Sequence, residues 1–208
     1  MKIRRFVCNA FQENAYVASD GGDCVIVDPG FTEQEIGALY DYLDSEGIVP
    51  SAILLTHRHP DHILGLDNIL GRFSIPVISA AETGAFPAEP FSGEDGNDSG
   101  AAAGKTGLTS KFRIITTPGH TPDSVCFYDE EDHLMFTGDT LFAGTIGRTD
   151  LPGGDYDSEI RSIMEKLIFL PGETDIYPGH GPASTIARER MENPFLEPFN
   201  EREELDLD

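Results

Sequence analysis

Thr56-His57-Arg58-His59-Pro60-Asp61-His62 places four potential metal ligands, His57, His59, Asp61 and His62, within seven residues. The apolar run Ala52-Ile53-Leu54-Leu55 before it reads as a buried strand. Ile63-Leu64-Gly65-Leu66 after it reads as the start of a helix or a tight turn. The cluster therefore lies on the loop leaving a strand, where a rigid scaffold commonly presents functional groups. In an extended loop His57 and His59 point to the same side, because side chains alternate with a period of two, so they can share one ion. Pro60 bends the chain, and Asp61 and His62 can then face a second ion beside the first. The competing explanation is a polar surface loop that happens to be rich in histidine. Matching partners elsewhere in the chain argue against it.

Those partners also stand at strand ends. Lys111–Thr117 reads as a strand running into Pro118-Gly119-His120-Thr121. Ser124–Tyr128 and His133–Phe136 read as a hairpin around Asp129-Glu130-Glu131-Asp132, whose second strand ends in Thr137-Gly138-Asp139-Thr140. His133 belongs to the turn and receives no role. Asp175-Ile176-Tyr177 is a strand ending in Pro178-Gly179-His180-Gly181. Four strand ends thus deliver five imidazoles and two carboxylates. One ion can take His57, His59 and His120, and the other Asp61, His62 and His180, with Asp139 bridging them. Imidazole with carboxylate and no thiolate suits zinc, iron or manganese. The donor set itself does not choose among them; the overall expectation is two divalent ions, with zinc first. A pair about 3.5–4 Å apart would lower the pKa of a bridging water. Asp28, in Asp28-Pro29-Gly30, reads as an acceptor of backbone hydrogen bonds near the site rather than a ligand.

The rest of the chain frames these motifs. At 208 residues and 39% hydrophobic content it has ample material for a core, and it is read as a single domain, 1–208. Residues 85–109, rich in Gly, Ser, Asp and Ala, read as a loose insertion in which only Phe86 and Phe91 are candidates to touch a substrate. Residues 197–208 form an acidic tail. A formal net charge of −23 argues against nucleic acid and anionic membrane surfaces as partners, and is read as solubility. No run is long enough to span a bilayer. Met1-Lys2-Ile3-Arg4-Arg5 is followed by no apolar signal segment, and Cys8, Cys24 and Cys126 form no paired pattern, so a reducing cytoplasm is the expected location. Ile3–Ser19 and Cys24–Asp28 read as extended, with a turn at Asp20-Gly21-Gly22-Asp23. Thr32–Glu46 reads as an amphipathic helix with a Thr32/Glu35 capping box and Gly47 at its end. Glu159–Leu170 reads as a helix capped by the preceding Asp155–Ser158, and Ser184–Glu192 as a last short helix.

The motif order His-x-His-x-Asp-His, Gly-His-Thr, Gly-Asp-Thr, Pro-Gly-His-Gly resembles the metallo-β-lactamase superfamily over nearly the whole chain. That resemblance implies an α/β fold, a four-layer αββα sandwich with the metal site at one edge. The stretch from Thr137-Gly138-Asp139-Thr140-Leu141-Phe142 to Gly147-Arg148-Thr149-Asp150 resembles glyoxalase II-like hydrolases and the related persulfide dioxygenases. Tyr177-Pro178-Gly179-His180-Gly181-Pro182 and Asn193-Pro194-Phe195 resemble short, single-domain glyoxalase II-like proteins. The implied activity is hydrolysis of a small acyl thioester, as in a hydroxyacylglutathione hydrolase, by a metal-bridging hydroxide. A thiolate of pKa about 8.5 leaves without a strong general acid.

Asp61 is then both ligand and catalytic residue, orienting the hydroxide. Arg148 is the candidate to grip a substrate carboxylate bidentately, with an ion pair to Asp150 as the alternative. Tyr156 is a candidate substrate contact, with a core-edge tyrosine as the alternative. Thr121 and Thr140 are expected to hydrogen-bond the ligands. The best-known β-lactamases carry Cys where Asp139 stands, and diiron flavoproteins of this fold carry Glu where His59 stands, so neither activity is expected. The helical domain that anchors glutathione in full-length glyoxalase II has no counterpart after Phe195, which leaves the thiol carrier open, as is the oligomeric state. Two alternatives stand beside the hydrolase: a persulfide dioxygenase with one iron on His57, His120 and Asp139, and a non-catalytic metal-binding homologue.

Overall fold

The structure, a computed structural model, describes residues 1–80, 88–90 and 107–197. The chain begins as a meander of β1 (Lys2–Cys8), β2 (Glu13–Asp20) and β3 (Asp23–Val27). The run expected to be extended from Ile3 to Ser19 is therefore broken at residues 9–12. Asn9 (φ 51°) and Gln12 (φ 57°) adopt the left-handed conformation there, and the Asn9 side chain supports the turn by accepting the Phe11 N–H at 2.9 Å. Helix α1 (Ile36–Glu46) starts later than the capping box suggested. Only half of that box forms: Glu35 accepts the Thr32 N–H at 3.0 Å, and the same carboxylate accepts the Asn9 N–H, tying the two loops together. Gly47 closes the helix with φ 65°, as expected.

Next come β4 (Val49–Leu54), the short α2 (Pro60–Ile63), α3 (Leu66–Arg72), β5 (Val77–Ser79) and β6 (Ala88–Pro90). Strand β6 lies inside the stretch expected to be loose; the rest of that stretch up to residue 106, with Phe86 and Phe91, and residues 198–208 of the acidic tail lie outside the described residues. A 3-10 turn (Gly107–Lys111) leads into β7 (Phe112–Thr116), β8 (Val125–Asp129) and β9 (Leu134–Gly138). The small hairpin β10 (Leu141–Phe142) and β11 (Thr145–Ile146) follows, then α4 (Tyr156–Ser162). Helix α4 starts three residues before the expected position, because Asp155 accepts the Ser158 N–H at 2.7 Å and caps it. It widens into a π turn at Ile163–Leu167. Strands β12 (Asp175–Pro178) and β13 (Ser184–Thr185), helix α5 (Ile186–Glu192) and a 3-10 turn (Pro194–Leu196) complete the described elements. Arg190 of α5 donates to the Ile168 and Leu170 carbonyls beyond the π turn.

Two mixed sheets result, β1-β2-β3-β4-β5-β6 and β13-β12-β9-β8-β7. Alternation along the strands builds the layers. In β2, Ala15 and Val17 face Leu39 and Leu43 of α1 and Ile69 of α3, whereas Tyr16 and Ala18 face Phe112, Phe127 and Phe136 of the other sheet. On that sheet's far side, Cys126, Tyr128, Met135 and Ile176 pack under Ile163, Leu167 and Ile186. Three apolar interfaces separate four layers, helix, sheet, sheet and helix. Each buried Leu, Ile or Phe in them contributes about 1.5–3 kcal/mol. The three cysteines are free and buried in these interfaces. Strands β7, β9 and β12 run the same way, so their C-terminal ends lie together. Those ends and the end of β4 carry the four motifs.

Candidate metal centre

The seven side chains singled out in the sequence come together. His57 Nε2 lies 3.1 Å from His59 Nδ1, which lies 2.8 Å from His120 Nε2. In the second half, Asp61 Oδ2 lies 3.4 Å from His180 Nε2 and 4.0 Å from His62 Nε2. Asp139 stands between the halves. Its Oδ1 is 3.4 Å from His62 Nε2, and its Oδ2 is 3.5 Å from His120 Nε2 and 3.6 Å from His180 Nε2. Within each of the triads His57/His59/His120 and Asp61/His62/His180 the donor atoms lie within 4.8 Å of one another. A tetrahedral ion with bonds of about 2.0–2.1 Å separates its ligand atoms by about 3.3 Å, so both spacings fit.

The proton positions sharpen this. Thr56 Oγ1 donates to Asp28 Oδ2 at 2.6 Å, so it must accept from His57 Nδ1 at 3.0 Å. His120 Nδ1 lies 2.7 Å from the Arg148 carbonyl, which can only accept. Both rings thus carry their proton on Nδ1 and turn a bare Nε2 lone pair toward the same point. A proton on His59 Nδ1 would serve at most one of them well, whereas a cation serves all three nitrogens. His62 follows the same plan, with Nδ1 3.1 Å from Asp28 Oδ2 and Nε2 toward Asp139. The donor set fits a metal ion in each half.

Residues 8–180 match the family model of the metallo-β-lactamase superfamily. The chain belongs to the metallo-β-lactamase superfamily. It is similar to the probable metallo-hydrolase YqgX of Bacillus subtilis, at 37% identity over 96% of this chain and all of that one. The hydroxyacylglutathione hydrolase GloC of Haemophilus influenzae is 32% identical, covering 94% of this chain and 98% of that one. The crystal structure of the B3 metallo-β-lactamase BLEG-1 superposes with a TM-score of 0.78 at 36% identity, over 94% of this chain and 99% of that one. The αββα sandwich is the fold of the superfamily, and the chain is a metal-dependent hydrolase of that superfamily.

For a metallo-β-lactamase superfamily site, the electrostatics are unequal between the halves. Burial, reinforced by His62, holds His57 far below the usual imidazole range and so neutral, ready to ligate. Burial also pulls on His62, but its hydrogen bonds to Asp139 and Asp28 outweigh it and drive the ring toward the charged form. The surroundings call for positive charge at His62 Nε2, which a metal ion or a proton can supply. Asp139 is held well below the usual carboxylate range: burial opposes its ionisation, and His62, His57 and His180 overcome it. His57, His62 and His120 are buried, while Asp61 and His180 keep 18% and 28% side-chain exposure, so the site opens on their side.

The residues around the centre divide into expected and unexpected. Asp28 accepts the Thr56 N–H at 2.8 Å as well as the Thr56 hydroxyl and His62, and so stands behind the ligands as the sequence suggested. Thr121 and Thr140, expected against the ligands, share hydrogen bonds with Ser124 and Thr117; Thr56 is the threonine that touches a ligand ring. Arg148 lies exposed in a bidentate pair with Asp150, both bonds 2.7 Å, while its carbonyl fixes His120. Tyr156 is exposed at the first turn of α4.

Two buried carboxylates went unnoticed in the sequence. Glu13 is fully buried 3.9 Å from His62 Nδ1, and burial pushes its pKa well up. Glu159 is fully buried, accepts the His120 N–H at 2.8 Å, and is pushed up to about 8 by burial. Nothing local in the sequence marks them, because the space they fill is made by distant glycines. A methyl group at Gly30 would overlap Glu13 and the Asp61 carbonyl, and one at Gly119 would overlap Glu159.

Proposed function

We propose that the chain is a dinuclear hydrolase, with zinc the first candidate and iron or manganese open, that cleaves a small acyl thioester. The observation that carries this is the pair of half-sites sharing Asp139, each turning its donor atoms toward one point. The likeness to GloC supports the thioester. Divalent ions held by His57, His59 and His120 and by Asp61, His62 and His180 would lower the pKa of a bound water and polarise the scissile carbonyl. The residues do the rest. Asp61, on the open side, orients the attacking water through its carboxylate. Arg148, given up by Asp150, pairs with a substrate carboxylate, and Tyr156 lines the approach. A thiolate leaves without being protonated, whereas an amine must take a proton. The thioester therefore asks less of the site than the β-lactam ring suggested by the likeness to BLEG-1.

The test is thiol release from a 2-hydroxyacyl thioester of glutathione, with a chromogenic cephalosporin as a second substrate and metal content measured in the same sample. Full thioester turnover by metal-free protein would sink the proposal. The motif Gly147-Arg148-Thr149-Asp150 favours a second reading, persulfide oxidation with one iron on His57, His120 and Asp139. One iron per chain with oxygen uptake on a persulfide would select it.

A further inference from the structure

Helix α4 and its π turn run along the segment that delivers His120. Lys166 Nζ donates to the Thr116 carbonyl at 3.0 Å, Ser162 Oγ to the Pro118 carbonyl at 2.8 Å, and the Asp155 N–H to the Gly119 carbonyl at 2.8 Å. Glu159 completes the series by accepting the His120 N–H at 2.8 Å. Gly119 leaves the space that its carboxylate fills. The other carboxylate oxygen lies against Gly147, close enough that a methyl there would sit 2.8 Å from it. The next residue, Arg148, offers the carbonyl that fixes the His120 ring. One carboxylate thus braces both the main chain of His120 and the loop that sets its ring. A leucine there would leave the buried His120 N–H without its acceptor, so the carboxylate is kept for that bond rather than for packing.

We propose that Glu159 is a positioning residue that presents His120 Nε2 to the half-site it shares with His57 and His59. This rests on the metal-binding reading of the site. The test is cobalt(II) titration of metal-free protein, followed by absorption, with apo-protein melting measured alongside. Wild type is expected to bind two ions. E159A weakens one of them by about 10–100-fold and leaves the other unchanged. E159Q, whose amide oxygen can still accept the His120 N–H, binds like wild type. E159D keeps the carboxyl group but falls a methylene short, and loses affinity as E159A does. Should E159A fail to fold, E159Q against E159D separates reach from the acidic group. E189A is the control: equally buried Glu189 accepts the Gly144 N–H in the β10–β11 turn, so its loss lowers the melting temperature without changing either affinity. The brace is refuted if E159A or E159D binds both ions like wild type. It is refuted equally if E159Q is as weak as E159D, or if E189A weakens cobalt binding as much as E159A. Wild type that binds no cobalt(II) would overturn the metal reading itself, and the brace with it.

Discussion

At the scale of single residues, the candidate ligands were legible because each polar side chain stands directly after an apolar strand. The same contrast hides Glu13 and Glu159. A glutamate at the start of a strand or in the first turn of a helix looks like ordinary surface, and only the three-dimensional path shows Gly30 and Gly119 making room for it. Asp28 was placed near the site from the sequence, but not its grip on both Thr56 and His62. Asp28→Ala leaves the Thr56 N–H and His62 Nδ1 without their acceptor, at a cost of about 1–3 kcal/mol for each buried group. Chemical denaturation of metal-free protein should show that loss, and metal affinity should fall by about 10–100-fold. Asp139→Ala is expected to reduce thioester turnover by at least about 100-fold, as loss of one charge-stabilising group does, with metal content falling below two ions per chain. Unchanged metal content would remove Asp139 from the bridging position.

At the scale of elements, the strands and their order of motifs came through, and the boundaries moved where local side chains intervened. Asn9 and Gln12 turn left-handed and split the first strand, and the Glu35 carboxylate, engaged with Asn9, delays α1. The π turn is carried by an Ile168 N–H to Ile163 carbonyl bond of 3.0 Å, which no apolar spacing announces. Gly30→Ala should be destabilising by about 1–3 kcal/mol, because the methyl collides with main chain at Asp61. The same variant should lose metal from the half holding Asp61, measured by elemental analysis. Helix α4 gives a pH prediction. Burial raises Glu159 to about 8 from an ordinary 4.5, so the folded state holds this proton more tightly than the unfolded chain. The side chain therefore favours folding at acid pH, and that advantage is lost as pH rises from about 4.5 to about 8. In metal-free protein, Glu159→Gln should gain melting temperature on wild type across that window and hold a constant gap above it. A gap that shrinks with rising pH would contradict the sign.

At the scale of the whole molecule, the motif order made the layered fold legible, but the three apolar interfaces were not countable from the sequence. Runs such as Val125–Tyr128 are buried on both faces and show no alternation. The candidate ligands come from both sheets, so a bound ion joins the two halves of the sandwich. Stripping the metal with a chelator should lower the melting temperature, each ion at 100 times its dissociation constant being worth about 2.7 kcal/mol. A formal charge of −23 adds self-repulsion, so the metal-free protein should melt higher in 0.5 M than in 0.05 M sodium chloride, roughly the range over which salt screens charges beyond the first shell. The rings of His57, His62 and His120 are anchored through their outer nitrogens to Thr56, Asp28 and Arg148, independently of any ion. Such a frame is set before loading. An ion bound there would therefore spend little of its binding energy on ordering these three rings.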